Sequence, residues 1–152
     1  MRFLLFSGLF LMLVSCNLTA TQEQNLNEQT GRYLNALKSK SVLAIVALTY
    51  PPYVKHIQSQ GDEYFKKSFS VKPWESELEF TQSKIQEIKS EGKSIHVHYL
   101  VEKEYIYDDD EFKNSPYEFV AISEDDGSHW FFLKYRVYRD KNICKELKRL
   151  IK

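Results

Sequence analysis

Residues 95–107 read Ile-His-Val-His-Tyr-Leu-Val-Glu-Lys-Glu-Tyr-Ile-Tyr. Side chains alternate between the two faces of an extended chain. Ile95, Val97, Tyr99, Val101, Lys103, Tyr105 and Tyr107 therefore fall on one side. The run is rich in β-branched and aromatic residues, which suit a pleated, half-buried surface, so it predicts a long strand. Glu91-Gly92-Lys93 is the turn before it. Upstream, Glu77-Leu78-Glu79-Phe80 alternates, and Ile85 to Ile88 continues the pattern weakly. Downstream, residues 117–123 and 130–138 predict two further strands, joined by Glu124-Asp125-Asp126-Gly127. Connections this short do not allow parallel crossovers, so the sheet is expected to be antiparallel, with about four strands.

Helical spacing precedes the sheet. Leu26, Thr30, Tyr33, Leu34 and Leu37 recur at i, i+4, i+7 and i+8 with polar residues between them. Ser41 can cap a second helix holding Val42, Leu43, Ile45, Val46 and Leu48. Pro51 and Pro52 end it, because the residue before a proline avoids the helical region. A short turn over Tyr53 to Ile57 is expected next. Gly61-Asp62 then opens a third helix with Tyr64, Phe65, Ser68 and Phe69 on one face. Asp140 caps a short last helix bearing Ile143, Leu147, Leu150 and Ile151. Helices first, a curved antiparallel sheet second and a short C-terminal helix make an α+β class.

A chain of 152 residues supports one domain. Apolar residues at 43% and charged residues at 28% exclude a disordered chain, and 5 Gly with 4 Pro exclude collagen-like or low-complexity architecture. Basic and acidic residues balance at 21 each, which argues against a general nucleic-acid binder. Two cysteines are too few for a disulfide scaffold or a cysteine-built zinc finger. The charge is unevenly spread. Residues 75–133 carry 15 acidic against 5 basic groups, and residues 134–152 carry 8 basic against 2 acidic. The basic tail is expected to dock on its own domain; the competing reading is a basic amphipathic helix lying on anionic lipid.

The chain opens Met1-Arg2, followed by an apolar run from Phe3 to Val14. One positive charge and a 12-residue apolar stretch are too short for a spanning helix and read as a secretory signal. Leu13-Val14-Ser15-Cys16 then resembles the lipobox of bacterial lipoproteins, in which a small residue precedes an invariant cysteine. The resemblance implies that Cys16 becomes an acylated N-terminus. Each buried methylene contributes about 0.8 kcal/mol, so two or three chains anchor a protein where one does not. The plainer alternative is a signal peptide with a chance cysteine. Asn17, rather than Asp, follows the cysteine; by the enterobacterial rule this points to the outer membrane, facing the periplasm. Residues 1–15 are thus expected as signal peptide, 16–28 as a polar tether and 29–152 as the domain.

Four short stretches carry a further likeness: YLNALKSK at 33–40, LTYPP at 48–52, AISEDDG at 121–127 with Trp130, and KELKRLI at 145–151. With the helix-then-sheet order, the chain resembles the nuclear-transport-factor-2-like (SnoaL-like cone) superfamily, in particular small Bacteroidetes-type lipoproteins. The resemblance implies a bent sheet wrapped around a long first helix, with a pocket at the open end. It implies no reaction, because the same cone hosts enzymes and inert partners. The catalytic sets of the enzymatic branches match nothing here, so no catalytic residue is carried over. Candidate pocket residues, placed by geometry, are Tyr33, Leu37, Tyr50, Phe65, Tyr99 and Tyr135.

Other constellations have bland readings. His96 and His98 leave the same face of a strand, half of a metal site with His129 as a conceivable third ligand, but surface histidines are the commoner outcome and no metal is expected. Asp108-Asp109-Asp110-Glu111 lacks the spacing and central glycine of a calcium loop and reads as a solvated hairpin tip. Ser123-x-Asp125-x-Gly127-x-His129-Trp130 resembles a single Asp-box turn, which fixes a hairpin and carries no catalysis. Cys144 reads as an inert thiol or an intersubunit partner. Tyr99, Phe119, Phe132 and Tyr135 cannot all face one side, so an apolar outer face is expected to be covered by a sheet-to-sheet homodimer. The expected function is non-enzymatic: an envelope protein binding a small apolar ligand or a protein partner, without a cofactor. The alternatives are a structural envelope scaffold and a pocket enzyme of isomerase or hydrolase type, for which Glu102, Glu118 and His98 are the residues to inspect.

Overall fold

The computed structural model describes residues 17–77, 83–101 and 117–150. It has the expected α+β order: helices α1 (Ala20–Lys38), α2 (Val42–Leu48), α3 (Pro51–Ser59) and α4 (Asp62–Phe69), and a 3-10 turn over Pro73–Glu77. Strands β1 (Ser83–Glu91), β2 (Ser94–Val101), β3 (Tyr117–Ser123) and β4 (Phe131–Lys134) follow, then helices α5 (Tyr135–Tyr138) and α6 (Lys141–Leu150). The four strands form an open antiparallel sheet in the order β1-β2-β3-β4.

α1 begins with a capping box. The Thr19 hydroxyl oxygen accepts from the Gln22 backbone, and the Gln22 side-chain oxygen accepts from the Thr19 backbone. Residues 20–28, assigned above to a tether, are therefore the first half of α1, and Leu26 within them is fully buried. Their polarity reflects a face that hydrogen-bonds the sheet, described below. The prolines after α2 do end that helix, but they also start the next one. Pro51 and Pro52 occupy the first positions of α3, where a missing N–H costs nothing. The expected turn at 53–57 is thus helical, and it buries Ile57.

Strand parity sorts the core. Val97, Tyr99, Val101, Tyr117, Phe119, Ala121 and Phe132 point to the face that α1 covers with Leu26, Tyr33, Leu34 and Leu37. Tyr33 stacks on Phe132 with ring centres 4.5 Å apart and planes within 6°, and it tilts against Phe119 at 5.7 Å. Tyr99 stacks on Phe119 at 4.9 Å. Val120, Ile122 and Leu133 point the other way and are covered by Tyr50, Tyr135, Tyr138 and Ile143. The outer face over β3 and β4 is thus covered by the chain itself. The strand expected over 130–138 stops at Lys134 and turns into α5. That turn brings Tyr135 onto the His98 ring at 3.7 Å and the Tyr138 hydroxyl to His96 Nδ1 at 2.8 Å, contacts an extended chain would have left in solvent. α6 packs against α3 and α5, with Asp140 capping it by accepting from the Asn142 and Ile143 backbones. The side chains of Leu147 and Leu150, and all of Ile151, lie outside the described residues, as do residues 78–82 and the continuation of β2 through Lys103, Tyr105 and Tyr107.

The turn between β3 and β4 adopts the expected hairpin chemistry. Ser123 Oγ accepts from the Gly127 backbone and donates to Asp125, and Asp125 accepts from the His129 backbone and meets its ring at 2.6 Å. Trp130 lies beneath, 1% exposed, donating to the Gly127 carbonyl. A polar stripe of α1 holds this turn: Gln22 donates to Asp126, Asn25 to the Gly127 carbonyl, and Gln29 accepts from the Trp130 backbone. Gly127 has φ +81, and a Cβ there would lie 2.5 Å from Gln22 Cγ. Gly127→Ala is expected to lower stability by about 1–3 kcal/mol, read by urea unfolding; an unchanged midpoint would contradict this docking. Slight burial raises the Asp125 carboxyl, but the His129 and Ser123 hydrogen bonds outweigh it and leave it at about 2. Its contribution is present above the unfolded value of 3.8 and is lost as pH falls toward 2. Unfolding measured across that range should show this loss, and Asp125→Asn should flatten it.

Candidate functional site

The helical layer and the β4–α5 corner enclose a cleft. α1 supplies Tyr33 and Leu37, α2 supplies Ile45 and its C-cap supplies Thr49, and α3 supplies Tyr53; the end of α4 and the chain after it supply Ser68, Phe69, Ser70 and Val71. Phe132, Leu133, Lys134 and Val137 close the sheet side, and Glu75 comes from the 3-10 turn. The cavity is small, about 40 Å³, and opens to solvent at its mouth. Its walls are mainly apolar.

Glu75 is the exception. Its side chain is 1% exposed and forms an ion pair with Lys134, whose side chain is 40% exposed. The other carboxylate oxygen accepts from the Lys72 backbone at 2.9 Å, while the Glu75 backbone donates back to the Lys72 carbonyl. This reciprocal bond holds the 3-10 turn in place and fixes the carboxylate. A carboxylate so buried is tolerated only because both oxygens are occupied. Its charge reaches Tyr33: burial pushes the Tyr33 phenol well up, the Tyr117 hydroxyl 3.1 Å away opposes the rise, and Glu75 adds to it. The phenol is therefore neutral throughout the physiological range.

Of the six pocket candidates, Tyr33 and Leu37 line this cleft. Tyr50 is buried on the other side of the sheet and donates to Glu124 at 3.0 Å. Phe65 packs on Phe69 at 4.8 Å, just behind the wall. Tyr99 is buried under α1, its phenol pushed up to about 12 by burial, with Thr30 opposing the rise and Glu23 adding to it. Tyr135 stacks on His98 on the outer face. Glu75 and Lys134 were missed by sequence reasoning. One signal was available: Lys134 shares the parity of Phe132 and pairs with Phe119, so a cation sits on an inward-facing strand position and calls for a buried anion. Glu75 offers no such pattern.

The histidines are placed separately. His98 meets Glu118 at 2.6 Å on the outer face; His96 bonds Ser94 and Tyr138, and burial lowers its pKa. His129 is engaged in the β3–β4 turn. Among the described residues no three His, Cys, Asp or Glu side chains converge to hold a metal. Cys144 donates to the Tyr138 carbonyl at 3.0 Å. Cys16, Glu102 and the Asp108–Glu111 run lie outside the described residues. Among the described residues, no helix is long and apolar enough to cross a membrane. Compared with known proteins, the chain matches no family model, no curated protein and no solved structure.

The ion pair predicts a clear mutational pattern. Lys134→Met strands a buried carboxylate and is expected to cost about 2–4 kcal/mol. Glu75→Gln with Lys134→Met should recover most of that loss, because no buried charge remains. Equal unfolding midpoints for the single and double variants would contradict the assignment.

Proposed function

We propose that this protein is a non-enzymatic, lipid-anchored protein of the bacterial cell envelope that binds a small apolar ligand in the cleft between its helical layer and the β4–α5 corner. The cleft itself carries the reading: an open, largely apolar depression whose buried carboxylate is consumed by structure. A general base needs an available oxygen. Both oxygens of Glu75 are engaged, one by Lys134 and one by the Lys72 backbone. The pairing that an acid–base enzyme would offer, His98 with Glu118, stands on the opposite face of the sheet and borders no part of the cleft. An engaged carboxylate and apolar walls among the described residues favour binding over turnover.

The anchor completes the proposal. Acylation at Cys16 would place the lipid only a few residues before the Thr19 cap, and Leu18 between them packs on the core. The domain would then be held close against the outer membrane rather than on a long leash. The long first helix on one face of an antiparallel sheet agrees with the nuclear-transport-factor-2-like cone as a framework, which we adopt on that ground together with the sequence likeness.

Two measurements test this. A neutral solvatochromic dye such as Nile red should bind saturably at one equivalent, and Val137→Trp, which crowds the cleft and is checked for folding by its unfolding midpoint, should weaken it about tenfold. Dye uptake that ignores this substitution would overturn the cleft as the site. In cells, palmitate label should appear on the protein and vanish in Cys16→Ala; label retained in that variant would overturn the anchor.

A further inference from the structure

We propose that the exposed face of α2 docks on an anionic lipid bilayer, with Leu43 and Val42 entering the interface and Lys38 and Lys40 meeting the head groups. The inference goes beyond the cleft and does not depend on acylation at Cys16.

α2 reads Val-Leu-Ala-Ile-Val-Ala-Leu over residues 42–48, seven residues with no charged or hydrogen-bonding side chain. A helix that is apolar all round belongs in an interior. Only one side of α2 is buried, however. Ile45 is 5% exposed, whereas Leu43 is 86% and Val42 43% exposed. Ala47, four residues after Leu43 and so on its face, is open as well. A single exposed leucine is ordinary, but adjacent apolar side chains on a helix with no polar neighbour make a patch. The fold gives no reason for it, because Ile45 and the Thr49 bridge to Phe132 already hold α2 in place.

Charge decides what covers the patch. Lys38 ends α1, and Lys40 lies in the connection to α2, three residues before Leu43. The Ser41 backbone donates to the Ala36 carbonyl, which folds this connection back and keeps both lysines at the end of the molecule where α2 begins. Lys66 and Lys67 occupy the last turn of α4, which also packs on α2, while its acidic pair Asp62 and Glu63 sits in the first turn. All four lysines are exposed, and none forms an ion pair with another described residue. Residues 30–72 carry 7 basic against 2 acidic groups, opposite in sign to the acidic stretch 75–133. A second copy of this face would set lysines against lysines. An anionic bilayer instead offers negative head groups over a hydrocarbon layer, which matches both features. Each lysine near such a surface contributes about fivefold in affinity, and Leu43 and Val42 reach the acyl boundary between them. With an acylated Cys16, the two attachments would lie at opposite ends of α1, whose 19 residues span about 28 Å.

Vesicle co-sedimentation of the full chain carrying Cys16→Ala, which cannot be acylated there, separates this face from the anchor. Binding to phosphatidylglycerol vesicles is expected to be about tenfold tighter than to phosphatidylcholine vesicles and to weaken with added salt. Leu43→Asp should weaken it about tenfold, and Lys38→Glu with Lys40→Glu should remove the lipid preference. Both variants should keep their unfolding midpoints, because the three side chains are exposed. Independently, Leu43→Trp should gain fluorescence that brominated phosphatidylglycerol quenches beyond the wild-type level. Equal binding to the two lipids, binding indifferent to these substitutions, or Leu43→Trp quenching no greater than wild type would overturn the proposal. A dimeric mass without lipid that Leu43→Asp returns to monomer would overturn it in favour of a second copy. Palmitate labelling reports on Cys16 separately, so either reading can fail alone.

Discussion

A single aromatic layer holds this molecule together. Tyr99, Phe119 and Phe132 sit at alternating positions of neighbouring antiparallel strands, and the register Tyr99↔Phe119 and Phe119↔Lys134 brings their rings onto one face. Tyr33 of α1 completes the layer by stacking on Phe132, and its hydroxyl reaches Tyr117 across the sheet. Such ring contacts add about 0.5–1.5 kcal/mol each beyond the area they bury. A one-residue slip of β3 or β4 would turn these rings to the other face, so the register and the position of α1 are specified together. The cleft inherits this dependence, because Tyr33 and Phe132 are also its inner wall.

Polar contacts then fix what the rings leave loose. Stacked rings define the distance between helix and sheet but allow sliding along the helix axis. Gln22, Asn25 and Gln29 lie on one face of α1 at helical spacing and bond the β3–β4 turn, which removes that freedom. At the other end, Thr49 bridges Phe132 in parallel, and the Tyr50 backbone donates to the Phe132 carbonyl. This covers the outer edge of a strand only four residues long. The helical layer is thus tied to β4 at both ends, and the space left between those ties is the cleft.

The sequence was legible where one physical rule acted alone. Period-two alternation located β2, and the Ser123-x-Asp125-x-Gly127 pattern located the turn after β3 together with its internal hydrogen bonds. It was less legible where two rules competed. Pro51-Pro52 reads equally as a helix stop and a helix start. Residues 135–138 continue a strand pattern, yet the rings at 135 and 138 gain more by folding back onto His98 and His96. The polar run 17–28 looked like a tether because its Gln and Asn side chains pair with a turn a hundred residues away. Glu75 was invisible for a similar reason: only the tertiary fold brings Lys134 to it. The candidate site was therefore half readable, through Tyr33 and Leu37 on the apolar stripe of α1, while the charges that define its chemistry were not.

Native-state hydrogen exchange on the wild type and on Tyr33→Ala tests the central claim most directly. If the aromatic layer joins α1 to the sheet, the amides of α1, β3 and β4 share one opening free energy, and Tyr33→Ala lowers protection in all three together. Protection of β3 and β4 that stays at the wild-type level while α1 alone exchanges faster would contradict that account.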